Sequence, residues 1–437
     1  MAIDTNYIKE QRVKNIIEFE KLQKEKGNSS RKGTTYNDIL PQEYEEIQDI
    51  PKIDFKYRSD SERRTPLKVW ENLDQLLKVK KINLKYNIVS KEIEVNGKNR
   101  SLDELLVKLN TLTQINGLHI STDDMFRFVK HIAKNNSFSP IINYLNECKE
   151  VWDGKSRVNL LCNTITSESN QEFNNLLITK WLVNAVHIAF NEEDRNCEGL
   201  LVIQGKQGLG KTRWIRSLIP KQKWLKTGMT IDPSNKDSVM KATKYWIIEL
   251  GEMDATLKKE QAVLKQFFTE QTDENRSPYA RTFEKTSRLT CFYATVNDIE
   301  FLRDDTGNRR YWTIQAKSIN VNHGINLEQL WGEVMHLYTS GKVTTYLSKE
   351  ETEQLSRNNR NFEVKSNIEI KILDCYDWTI KDTSKWTKYN VSQISDHISE
   401  KVNGISKNLR KIMLTNSLIK FDSNGRTFLL PPQRNRW

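Results

Sequence analysis

The sequence predicts an α/β protein built on a parallel sheet, and three short stretches predict it. "LLVIQ" (Leu200 to Gln204) is a continuous apolar run that passes directly into the glycine-rich "GKQGLGKT" and then into the helical pattern "TRWIRSLI". "KYWIIELGEMD" is a second apolar run closing on acids, and "LTCFYATVND" is a third that ends at Asn297. Short apolar runs bounded by turn residues read as strands buried on both faces, the mark of a parallel sheet covered by helices.

A chain of 437 residues is too long for one small core and fits two or three domains. Its formal charge of +11 points to a polyanionic partner. The excess is uneven: Lys401 to Trp437 holds eight Lys or Arg against the single acid Asp422. Cys148, Cys162, Cys197, Cys291 and Cys375 include no Cys-x-x-Cys pair, which argues against a disulfide framework or a cysteine zinc site and reads as buried thiols. No stretch has the apolar length of a membrane span or a signal peptide, so a cytoplasmic protein without a membrane partner is expected.

Residues 1–60 read as a charged amphipathic helix, with Ile8, Val13, Ile16 and Ile17 on one side, followed by a polar linker. A small, mostly helical N-terminal domain is expected over 61–165. In it "VWENLDQLLK" is a helix, "LKYNIVSKEIEVNGK" alternates and ends in the hairpin signal Asn-Gly, and two helices follow over Leu102 to Thr113 and Thr122 to Lys134. The central domain is expected over 166–345 and a basic C-terminal domain over 346–437.

Gly205, Lys206, Gln207, Gly208, Leu209, Gly210, Lys211 and Thr212 satisfy G-x-x-x-x-G-K-[ST] between a strand and a helix, the context that the motif requires. Glycines let successive N–H groups turn inward as an anion nest, and the helix adds its positive end. Lys211 can then reach the β- and γ-phosphates of a nucleotide, and Thr212 can place its hydroxyl on Mg²⁺. Such a site needs acids to hold metal and polarise water. Glu249 and Glu252 are placed at the end of the second strand, Glu249 as the outer-sphere metal partner and Glu252 as the activator of water; the two roles are exchangeable. Asn297 can orient water and sense the γ-phosphate. "FLRDDTGNRRYW" then puts Arg303, Arg309 and Arg310 on a turn, and a finger that neutralises transition-state charge in a neighbouring subunit must be an arginine on such a projection.

That order of parts resembles AAA+ ATPases of the superfamily 3 helicase type and, more closely, the virulence-associated protein E family of phages and genomic islands. The resemblance rests on "WDGKSR" (Trp152 to Arg157), "GKQGLGKT", "WIIELGEMD", "NRSPYARTFEK" (Asn275 to Lys285), "TVND" and "FLRDDTGNRRYW", and spans residues 65 to 345. It implies an AAA+ P-loop ATPase core with ATP and Mg²⁺ as cofactors, Lys211 and Thr212 as the phosphate-loop pair, Glu249 and Glu252 as the acids, and Asn297 as the sensor. It also implies that Arg309 or Arg310 acts in trans within a homo-oligomeric ring, with a hexamer expected. Trp152 is expected to be a core anchor.

DNA is the expected partner, single-stranded inside the ring. Arg276, Arg281, Lys285 and Arg288, with Tyr279 and Phe283 interleaved, suit a loop that tracks phosphates and stacks bases; the alternative is that Arg281 and its neighbours serve the subunit interface. The C-terminal region resembles a winged helix, with two helices around Asn403-Gly404 and a hairpin with Asn424-Gly425 at its tip. Lys407, Arg410 and Lys411 on the second helix and Arg426 on the hairpin are its candidate DNA contacts. No carboxylate cluster of the kind primer synthesis needs precedes Pro140. The expected function is an ATP-dependent DNA helicase or translocase in replication initiation of a phage or mobile element. Two alternatives stand beside it: an ATP-switched initiator or helicase-recruiting scaffold, and an interaction protein that diverts phage replication. Host or phage replication proteins are further candidate partners.

Overall fold

The computed structural model describes residues 53–57, 65–99, 101–167, 170–190, 197–232, 235–251, 267, 272–275, 284–302, 308–415, 419–421 and 427–434. The chain separates into two compact units, one formed by 1–85 with 93–136 and the other by 86–92 with 137–437.

The first unit contains α1 (Trp70–Val79), β1 (Leu84–Asn87, whose last two residues pair in the second unit), β2 (Glu92–Val95), β3 (Lys98–Asn99), α2 (Leu102–Ile115) and α3 (Thr122–Asn135). β2 and β3 form an antiparallel hairpin. Its turn is the Asn-Gly signal in action: Asn96 and Gly97 both have positive φ, 49° and 75°, which a two-residue hairpin turn of this hand requires. α3 starts where the Ser121 side chain accepts from the Asp124 N–H, and it buries Met125, Val129 and Ile132 at helical spacing.

The second unit opens with β4 (Ser137–Phe138), α4 (Pro140–Val151), α5 (Val158–Cys162), β5 (Ile165–Thr166) and α6 (Gln171–Ala189). The sequence reading grouped α4 and α5 with the N-terminal domain. Here α4 packs instead against α9 (Leu327–Thr339), because Ile141, Leu145 and Cys148 complete the same apolar core as Leu330, Trp331 and Val334. Next come β6 (Leu200–Gln204), α7 (Lys211–Leu218), β7 (Leu225–Met229), α8 (Lys236–Ala242), β8 (Ile247–Leu250), the antiparallel pair β9 (Thr272–Asn275) and β10 (Glu284–Ser287), β11 (Cys291–Val296), β12 (Tyr311–Gln315) and β13 (Ser318–Ile319).

Five of these strands make one sheet in the order β12-β6-β11-β8-β7, with every pairing parallel. All five residues of β6 and all four of β8 are buried. Strand alternation divides their side chains between two cores. Leu201, Ile203, Ile247, Tyr293 and Trp312 face α4, α6, α7 and α9, while Leu200, Val202, Ile248, Phe292 and Tyr311 face Phe301, Leu302 and Phe362. Buried tryptophans tie the layers, since each must find a partner for its indole N–H. Trp181 donates to Phe292 O, Trp246 to Ala185 O, Trp331 to Leu218 O and Trp214 to Thr164 Oγ1. All five cysteines are buried free thiols.

The C-terminal region comprises α10 (Lys349–Asn359), α11 (Asn367–Cys375), β14 (Thr387–Asn390), α12 (Val391–Ile398), α13 (Ile405–Thr415), β15 (Lys420–Phe421) and β16 (Thr427–Leu430). β14, β16 and β15 form an antiparallel sheet in that order, and Ile394, Ile405, Leu409, Ile412 and Phe428 fill the core between it and the three helices. The expected hairpin is present as β15 and β16, and β14 joins it as a third strand. Among the described residues no helix is long and apolar enough to cross a membrane.

"WDGKSR" proves to be a fastening between α4 and α9. The buried Glu333 carboxylate accepts from Ser156 Oγ at 2.8 Å, from Val158 N at 2.7 Å and from Arg157 N, and so caps the start of α5. The Arg157 guanidinium pairs with Asp153, whose carboxyl it holds down at about 2. Trp152 lies at 4.6 Å on His336, and Gly332 leaves room for it, since a Cβ there would come 2.8 Å from Trp152 Cβ. Glu333→Ala leaves buried donors unsatisfied and should lower the unfolding free energy by about 3 kcal/mol. An unfolding free energy from urea titration that changes by no more than about 0.5 kcal/mol would show that the fastening is not needed.

Candidate nucleotide site

In a parallel sheet, ligands bind beyond the carboxyl ends of the strands where the chain changes direction. That point lies at β6: the chain leaves it for the β7 edge, returns through β8 and β11, and finally places β12 on the other side. The glycine-rich loop stands there. Gly205 N–H donates to Val296 O, which fastens the start of the loop to β11. Gly208 and Gly210 both have φ of 86°, a conformation that side chains resist, and Gly210 is the residue immediately before α7. A Cβ on Gly205 would meet Ala316 O and Leu209 Cδ1 at 2.8 Å each, and one on Gly210 would meet Val321 Cγ2 at 2.8 Å.

Lys211 is buried, with its ammonium donating to Gly205 O at 2.7 Å, Lys206 O at 3.1 Å and Asn297 Oδ1 at 2.9 Å. Asn297 follows β11 directly, and its own carbonyl accepts from Gln204 Nε2. Thr212 Oγ1 donates to Glu249 Oε1 at 2.6 Å. Thr295 Oγ1 donates to the same oxygen at 2.8 Å, and Gly228 N–H donates to Oε2 at 3.2 Å from an irregularity in β7. Lys211, Thr212, Glu249 and Asn297, the candidates named from the sequence, converge from α7, β8 and the end of β11. One detail differs. Glu249 lies inside β8, where three donors and the buried flank of α7 hold its carboxylate at only 4 % exposure.

The chemistry of this donor set fits a nucleotide with Mg²⁺. The loop N–H groups and Lys211 would hold phosphates, and the Thr212 hydroxyl with the carboxylate behind it would hold the metal.

Arg309 and Arg310 stand elsewhere, at the opposite end of the same sheet. They form a short turn before Tyr311, which pairs with Leu200 at the start of β6, while Gln315 pairs with Gln204 at its end. Five strand residues at 3.3 Å each separate the two ends by roughly 17 Å. Arg309 is exposed and Arg310 half-buried, and both line a cleft of ≈ 320 Å³ with Glu198, Trp312 and Tyr346.

The virulence-associated protein E-like domain matches residues 145–364, just over half of the chain. This chain belongs to that family. No curated protein matches it. Among solved structures it is similar to the apo structure of the NrS-1 C terminal region (305-718), at 13% identity and a TM-score of 0.36 over 83% of this chain and 98% of that one. A second apo form of the same region matches at 14% identity and a TM-score of 0.36, over 82% and 98%.

Within the virulence-associated protein E-like segment, Arg288 departs from its expected DNA contact. Its guanidinium is only 2 % exposed, lies 4.1 Å from the Phe267 ring centre and donates to Phe267 O, so its charge serves the core. Beyond the segment, Lys411 departs as well: it pairs with Glu363 at 2.9 Å and Glu369 at 3.5 Å, which ties α13 to α11 and to the chain just before it. Lys407 and Arg410 are exposed on α13. Lys285 lies on β10, and Glu252, Arg276, Arg281 and Arg426 fall outside the described residues. Sequence reasoning missed Thr295, Gly228 and Glu198. Thr295 alone carried a signal, being a polar residue two positions before Asn297 in an otherwise apolar strand.

Gly205→Ala should destabilise the protein by about 2 kcal/mol through overpacking against Ala316 O and Leu209, whereas exposed Lys206→Ala should be neutral. Equal melting temperatures for the two variants would contradict this packing.

Proposed function

We propose that this protein is an AAA+ ATPase of the superfamily 3 type that hydrolyses ATP between subunits of a ring and drives DNA unwinding or translocation in the replication of a phage or mobile element. One observation carries the reading: a Lys-Thr-Glu-Asn cradle at the carboxyl ends of β6, β8 and β11, with paired arginines at the far end of the same sheet. An arginine roughly 17 Å from its own cradle cannot serve it, but it stands where a second copy's phosphates can be brought.

Bound Mg²⁺ and ATP supply the scissile phosphoanhydride and a Lewis acid that neutralises charge on its oxygens. Lys211 provides a fixed positive charge, held by two carbonyls and the Asn297 amide so that little reorganisation accompanies the reaction. Glu249 keeps Thr212 oriented, and Thr295 and Gly228 keep Glu249 in place. Glu252 remains the proposed activator of water. The C-terminal helices and three-stranded sheet fit a winged helix, with exposed Lys407 and Arg410 turned toward DNA phosphates.

Lys211→Ala should reduce ATP turnover by roughly 100-fold or more. Turnover per subunit should rise with protein concentration through the assembly range; a flat profile would refute hydrolysis in trans. The assembled protein should separate a forked duplex with ATP. Assembly and DNA binding without strand separation would instead support an ATP-switched scaffold. Replacing Lys407 and Arg410 together by Ala should weaken duplex binding and reduce the log–log salt slope by roughly 2, and an unchanged slope would remove α13 from the DNA interface.

A further inference from the structure

The cleft at the amino ends of β6 and β12 holds a carboxylate that the sequence reading did not use. β6 and β12 run parallel with Tyr311 opposite Leu200. Glu198 lies two residues before β6 and Arg309 in the turn two residues before β12, and both side chains line the cleft.

The backbone of Glu198 is fastened from both sides. Its N–H donates to Oδ1 of the fully buried Asn184 on α6, whose amide also donates to Lys180 O and Thr345 O. Gly199, the next residue, lies under the Trp312 indole so closely that a Cβ would fall 2.1 Å from Cε2. The arginine turn is held with equal care. Asn359 Nδ2 donates to Asn308 O at 2.9 Å and Tyr311 O at 2.8 Å, and Asn308 Nδ2 donates to Glu363 Oε1 at 3.2 Å. Two rigid backbones therefore present one acid and two guanidinium groups to a common space. Glu198 is exposed at the rim of this space, where the charges of Arg309 and Arg310 act on its carboxylate.

Arginine side chains carry large rotamer entropy, so an exposed one reaches a partner's phosphate in the required geometry only if something restrains it. Arg309 is the exposed member of the pair and shares the cleft with the acid. We propose that Glu198 is the positioning residue for Arg309, holding its guanidinium extended toward the triphosphate bound by a second copy of this chain. The proposal rests on the reading of hydrolysis between subunits, and it selects Arg309 over Arg310 as the group that crosses.

The test measures steady-state ATP turnover of the full-length protein at assembling concentrations. Arg309→Ala should lower kcat by about 1000-fold, the scale of a lost arginine finger. Glu198→Gln should lower kcat by about tenfold with KM changed by less than about twofold, since misplacement affects the transition state more than binding. Glu198→Asp, which keeps the charge, should retain more turnover than Glu198→Gln. Combining Glu198→Gln with Arg309→Ala should be no worse than Arg309→Ala alone, because a positioning residue has nothing left to position. Losses that multiply in the double variant, a Glu198→Gln effect confined to KM, or faster turnover in Glu198→Gln would each overturn the role of Glu198 while leaving intersubunit hydrolysis in place. Should Arg309→Ala leave turnover intact, the selection of Arg309 fails; if Arg310→Ala is also without effect, intersubunit hydrolysis fails with it.

Discussion

The placement of β11 between β6 and β8 is the constraint on which the rest of the site depends. Parallel pairing aligns Val296 with Gln204 and Ala294 with Leu250, which delivers Asn297 beside the glycine-rich loop and Thr295 beside Glu249. Only then can Lys211 reach Asn297 Oδ1 and Glu249 gain its second hydroxyl donor. A buried carboxylate is tolerable when its oxygens are well supplied with donors, and Glu249 has three. The same three bonds keep the acid rigid.

The sheet also spaces the two halves of the proposed chemistry. Its central strands are buried on both faces and cross-tied by indole N–H groups from Trp181 and Trp246, so the distance from loop to arginine turn is set by strand length rather than by side-chain reach. At the arginine end, Gly199 and Trp312 bring β6 and β12 into closer contact than any side chain on Gly199 would allow.

Much of this was legible in the sequence wherever the signal is local. The strand Leu200–Gln204 was read to the residue, because an apolar run meets glycines at both ends, and Asn297 was placed at a strand end by the run before it. The Asn-Gly turn needed only its two residues, since few others accept positive φ there. What failed depends on partners distant in the chain. Arg288 and Lys411 sit in basic stretches and look like phosphate contacts, yet Phe267 and the pair Glu363 and Glu369 claim them. Glu333 and Glu198 carry no local mark, and α4 reads as part of the N-terminal domain until its apolar face is seen against α9.

Glu363 links two regions that the chain order keeps apart. Its Oε1 accepts from Asn308, beside the arginine turn, while its Oε2 pairs with Lys411 on α13. Nearby, Leu302 and Phe301 both donate backbone N–H groups to Phe362 O. A fragment cut between Glu363 and α11 would therefore strip the Lys411 counter-ion from a nearly buried acid that also supports Asn308. The terminal helices are thus not a detachable appendage, and trimming them disturbs the turn that carries Arg309 and Arg310.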